Sequence, residues 1–138
     1  MNRKNINILI IDDEESTLTS LSRLLEGKGY TVNAYSNPEA ALEYVRNNLV
    51  HIALIDVTMP QVDGMSALGM IKDISGLTQI IMMSAYATTD RVIASLESGA
   101  NDFLLKPFDS LEHVVSIVEE SEKKLVRWQA VLKHLGAF

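Results

Sequence analysis

Short apolar runs alternate with amphipathic segments along the whole chain. The runs are INILII (6–11), TVNAYS (31–36), HIALID (51–56), QIIMMSA (79–85) and DFLLK (102–106). Most are nearly continuous rather than alternating, the pattern of strands covered on both faces. The segments between them repeat apolar residues at helical spacing. Leu18, Leu21, Leu24 and Leu25 share one face of a helix predicted over 15–27, with Gly27 and Gly29 as its stop. Pro38 opens PEAALEYVRNN (38–48) at the favoured first-turn position. Further helices are predicted over 65–74 and 88–99, the latter ending at Gly99, and a last one from about Asp109 to Leu135. Five strand–helix repeats in this order imply one α/β domain, a doubly wound parallel sheet with helices on both faces.

Composition narrows the class. The 138 residues are 47% apolar and 22% charged, with a formal net charge of −6 and no cysteine. The acidic balance argues against direct nucleic-acid binding, which needs clustered Lys and Arg. Without cysteine there are neither disulfides nor thiolate metal sites. No apolar run approaches the roughly 18–20 residues of a membrane span, and the N-terminus has no signal-peptide pattern. The expectation is a cytoplasmic domain without membrane attachment.

In doubly wound sheets, ligands sit beyond the carboxyl ends of the strands. Here those ends carry Asp12 and Asp13, Asp56, Ser84 and Lys106. Each has an ordinary explanation: helix capping for the first pair, a turn start for Asp56, a strand exit for Ser84 and Lys106. Taken singly, capping explains Asp12 and Asp13 at least as well as function does. Jointly these explanations fail, because they do not predict that four separate loops supply complementary groups to one place. Three clustered carboxylates repel unless a cation lies among them. An all-oxygen donor set favours a hard ion, and Mg²⁺ accepts one or two carboxylates together with phosphate oxygens. An Asp at such a site can attack phosphorus to form an aspartyl phosphate, with Lys106 neutralising charge and Ser84 donating to a phosphoryl oxygen. The chemistry reaches a Mg²⁺-dependent phosphoryl-accepting site.

At this point ILIIDDEES (8–16), LIDVTMPQVDG (54–64), IIMMSAYA (80–87) and FLLKPF (103–108) together resemble the signature blocks of response-regulator receiver domains of bacterial two-component signalling, the CheY-like superfamily. The blocks occur in order across about residues 6–120. The resemblance implies a flavodoxin-like five-stranded sheet of order 2-1-3-4-5. It implies Mg²⁺ held by Asp12, Asp13, Asp56 and the backbone carbonyl of Thr58, with Asp56 the phosphoacceptor. Ser84 and Phe103 would be the switch pair, Lys106 the charge partner, and Lys106–Pro107 a cis bond. Thr58 and Tyr86 would flank the path of attacking water and tune hydrolysis. The implied chemistry is self-phosphorylation from a phosphodonor and autodephosphorylation, with no enzymatic turnover of other substrates. The implied partners are a sensor histidine kinase or phosphotransfer protein upstream, as in a phosphorelay, and an output domain or effector protein downstream.

Two positions vary within that pattern. Ser84 stands where Thr is also common, which keeps the donor; Phe103 stands where Tyr is frequent, which removes a hydroxyl. Other Asp-nucleophile or nucleotide-binding readings fit less well. A haloacid-dehalogenase-type phosphatase needs a second Asp at position 58, which is Thr, and the acidic DDEES loop would repel a nucleotide phosphate. A phosphorylation-independent protein-interaction module is the alternative from another class. Finally, Leu111, Val118, Leu125 and Leu132 recur every seven residues, with Val114, Trp128 and Leu135 in the companion row. The reading divides the chain into a receiver unit, 1–121, and a helical extension, 122–138. That extension is expected to self-associate or to lead into an output domain. A homodimer would form through it, or through the face of the fourth helix, fifth strand and fifth helix.

Overall fold

The computed structural model describes residues 1–60 and 62–136. After a 3₁₀ turn at Arg3–Asn5, the elements run β1 (Asn7–Ile11), α1 (Glu15–Gly27), β2 (Thr31–Tyr35), α2 (Pro38–Asn47) and β3 (Ile52–Asp56). They continue α3 (Gly64–Ile74), β4 (Gln79–Ser84), α4 (Thr89–Glu97), β5 (Asp102–Leu105) and α5 (Leu111–His134). All strand pairs are parallel and the order is β2-β1-β3-β4-β5, the expected sheet.

The continuous apolar runs are explained by two cores. On one face Leu9, Ile11, Ala53, Ile55, Ile80 and Met82 meet α2 and α3. On the other Ile8, Ile10, Ile52, Leu54, Ile81 and Met83 meet α1 and α5. Alternation within each strand therefore sends apolar side chains both ways, and the central strands are wholly buried. The edge strand β2 is half exposed, which suits its mixed sequence. Its Asn33 amide donates to Asn7 Oδ1 at 2.8 Å, and Asn7 in turn donates to Tyr44 and to the Leu49 carbonyl. That network fastens the edge strand to its neighbours.

Helix starts follow the sequence signals. Asn37 caps α2 ahead of Pro38, Asp63 caps α3 by accepting the Ser66 N–H at 2.8 Å, and Ser110 caps α5. The stop after α1 uses Gly29 at φ +100°, a conformation that costs glycine little.

The fifth helix passes position 121 without a break. Val118 and Leu125 are buried in the second core, and Trp128 and Leu132 line a cavity together with the loops that precede β3 and β4. Of the heptad rows, Val114, Val118 and Leu125 thus pack on the chain's own sheet, whereas Leu111 and Leu135 are exposed. Arg3 grips the middle of this helix: its guanidinium bonds Glu119 at 2.7 Å and Glu122 at 3.1 Å, and lies over the Tyr30 ring. Residues 137 and 138 of the predicted extension lie outside the described residues. Among the described residues, no helix is long and apolar enough to cross a membrane.

Candidate functional site

Parallel strands all end on the same edge, so the sheet delivers its terminal side chains to one place. Asp56 is the last residue of β3, Asp12 and Asp13 follow β1, Ser84 ends β4, and Lys106 follows β5. The expected groups do converge. Carboxylate oxygens of Asp12, Asp13 and Asp56 lie within 4.8 Å of one another. Such an all-oxygen trio suits a hard divalent ion. A cleft of about 170 Å³ opens above it, lined by Asp13, Asp56, Thr58, Tyr86 and Lys106 among others.

Burial differs across the trio. Asp12 is fully buried and Asp56 is 5% exposed, whereas Asp13 is open to solvent. Lys106 Nζ donates to Asp12 Oδ2 and lies 3.8 Å from Asp56 Oδ2. Burial alone would lower the Lys106 pKa, but Asp12, Asp56 and Glu14 outweigh it and hold the ammonium above its ordinary range. The Thr58 N–H donates to Asp56 Oδ1 at 3.3 Å. The Thr58 side chain and Tyr86 are exposed at the cleft mouth, Tyr86 at 71%. Ser84 is 1% exposed, and its Oγ accepts the Tyr86 N–H at 3.0 Å. Phe103 is half-buried against the first core. The Lys106–Pro107 bond is cis, as the family resemblance implied.

Glu14 was missed. Its Oε1 is 3.4 Å from Lys106 Nζ, and it lines the cleft. It occupies the N-cap of α1 yet makes no capping bond with its side chain. The acidic run DDEES held the signal, but nothing in a sequence tells which of four successive acids reaches Lys106.

Burial, then the charge of Asp12, pushes the Asp56 carboxyl up from 3.8 to about 6. A carboxyl with a folded pKa above its unfolded value contributes stability that is complete below about pH 4. That contribution is lost as pH rises through about 6. At pH 7.5 without divalent cations, Asp56 should therefore strain the fold. Asp56→Asn is expected to raise the midpoint of thermal unfolding in EDTA, a gain in stability of at most about 3 kcal/mol. Added Mg²⁺ should narrow the gap, and equal midpoints in EDTA would contradict the reading.

A family model described as the response regulator receiver domain matches residues 8–119. The transcriptional regulatory protein ZraR of Escherichia coli K12 is 38% identical over 109 residues, which covers 79% of this chain and 25% of that protein. This chain thus spans about a quarter of the length of that relative. A CheY-like receiver domain protein from Methanospirillum hungatei superposes with a TM-score of 0.85 at 25% identity, covering 88% of this chain and 97% of its own. The beryllofluoride-activated NtrC4 receiver domain dimer does so at 0.82 and 28% identity, covering 86% and 98%.

Proposed function

Since this chain belongs to the response regulator receiver domain family, we propose that it accepts a phosphoryl group on Asp56 from the phosphohistidine of a sensor kinase or phosphotransfer protein in the cytoplasm. One observation carries this: Asp56 sits buried at a strand end, with two further carboxylates and an ammonium beside it. An Asp56 oxygen attacks phosphorus as the P–N bond of the donor breaks, and the imidazole leaves. Asp12, Asp13, Asp56 and the Thr58 carbonyl would hold Mg²⁺, which when bound neutralises charge on the transferred group. Lys106 turns to the phosphoryl oxygens, leaving Asp12 and Glu14. The Ser84 hydroxyl turns from the Tyr86 amide toward the new oxygens, and Phe103 takes up the space released. The resulting phosphoprotein signals through the switched face.

The receiving unit is residues 1–121, and 122–138 lead from it toward an output domain or effector. The face of α4, β5 and α5 exposes Ile93, Leu96, Leu105 and Leu111 at 48, 47, 61 and 50%. Such a patch supports a phosphorylation-linked homodimer there. Borohydride reduction of protein labelled with acetyl phosphate tests the acceptor directly. Conversion of Asp56 to homoserine, seen by peptide mass, is the expected result; reduction at another residue contradicts it. Tyr86 stands at the mouth of the cleft, where water must approach the phosphoryl group in line. Tyr86→Ala is expected to speed autodephosphorylation by about threefold or more, a barrier change on the order of 0.7 kcal/mol. An unchanged decay rate would remove Tyr86 from the water path.

A further inference from the structure

The loop 85–88 joins the end of β4 to the start of α4, and its Ala85 and Tyr86 line the phosphoacceptor cleft. The Tyr86 main chain is pinned on both sides. Its N–H donates to Ser84 Oγ at 3.0 Å, and its carbonyl accepts a bond from the Arg91 guanidinium at 3.2 Å.

Arg91 stands in the first turn of α4, where the helix dipole disfavours a cation. Helix formation therefore does not explain it. Among the described residues Arg91 forms no ion pair, and the Tyr86 carbonyl is the one hydrogen-bond partner of its guanidinium. The backbone that carries this side chain is firmly held. Its N–H donates to the Thr88 cap at 3.3 Å, and its carbonyl accepts from the hydroxyl of buried Ser95 at 2.8 Å. A rigid helix end thus reaches back five residues to fix Tyr86.

That contact bears on the switch. In the phosphoacceptor reading, on which this inference rests, Ser84 Oγ must leave the Tyr86 N–H to meet the phosphoryl oxygens. While Arg91 holds the carbonyl, the N–H stays aimed at Ser84, and departure of the hydroxyl costs that amide its acceptor. With the carbonyl released, the loop can turn and offer the amide to water. We propose that Arg91 is a positioning residue that favours the Tyr86-bound arrangement of Ser84 and so sets how readily the switch answers phosphorylation.

Two-state linkage gives the sign of the effect. Removing a bond made in one arrangement shifts the population toward the other, which the phosphoryl group prefers. Charge alone gives the opposite sign, because losing a cation near the cleft weakens the binding of an anion. Arg91→Ala also puts the best helix former in the first turn, so α4 is kept. The whole chain is titrated by calorimetry with beryllofluoride, an anionic stand-in for the phosphoryl group on Asp56, in excess Mg²⁺. Arg91→Ala is expected to bind it about threefold or more tightly than the wild type. In a Ser84→Ala background the same substitution should bring no gain, since no hydroxyl is left to hold. Equal or weaker binding by Arg91→Ala, or a gain that survives without Ser84, would overturn the proposal. Wild-type binding that Asp56→Asn loses keeps the acceptor reading in place even then; a wild type without binding would end both.

Discussion

Asp56→Asn protein incubated with acetyl phosphate and Mg²⁺ is expected to acquire no phosphoryl group, with labelling below about a hundredth of the wild-type rate. The size follows from the chemistry: an amide oxygen carries no charge and is a poor nucleophile toward phosphorus, so the bond-forming step has no substitute. The neighbouring acids do not stand in. Asp12 is fully buried and committed to Lys106. Asp13 is solvent-exposed and makes no ion pair with Lys106, whereas Asp56 lies 3.8 Å from it. EDTA should reduce wild-type labelling at least about tenfold, because three carboxylate oxygens within 4.8 Å would otherwise face an incoming dianion unscreened. Phosphorylation is followed by intact mass. Labelling of Asp56→Asn at the wild-type rate would move the acceptor elsewhere. Wild-type partner binding by Asp56→Asn would instead favour the interaction module that needs no phosphoryl group.

Much of this was legible because two strong physical rules act on the sequence. Strands covered on both faces must be continuously apolar, so HIALID and QIIMMSA stood out, and they are buried from Ile52 to Asp56 and from Gln79 to Ser84. Parallel strands must also end on one edge, so the sequence alone brings Asp12, Asp56, Ser84 and Lys106 together. The strand order came from resemblance, since continuous apolar runs say nothing about neighbours. What stayed hidden depends on side-chain direction. Glu14 could have pointed to solvent or to Lys106, and only the fold decides. The heptad row of α5 reads equally as an exposed seam or as the face that packs on a sheet. Leu125, at 5% exposure, shows that the chain itself supplies at least part of its partner.

Gly64→Ala should be the most damaging single-methyl addition in the domain. Gly64 opens α3, and its N–H donates to the Val57 carbonyl at 2.8 Å, which pins the helix start to the end of β3. A Cβ there would lie 2.6 Å from Val57 Cα and closer still to the Asp56 carbonyl oxygen. Both obstacles are backbone, so no rotamer change relieves them, and either the helix retreats or the strand end shifts. The expected cost is about 2–4 kcal/mol in chemical unfolding, within the range for overpacked sites. The displaced atoms include the backbone of Asp56 itself, so labelling by acetyl phosphate should fall by more than about tenfold even in the folded fraction. Gly69→Ala is the matched control. It lies inside the same helix with nothing within 4 Å of the added carbon. There the helix propensity of Ala should stabilise by up to about 1 kcal/mol and leave labelling unchanged. If both variants behave alike, steric contact at the phosphoacceptor strand is not what requires glycine at 64.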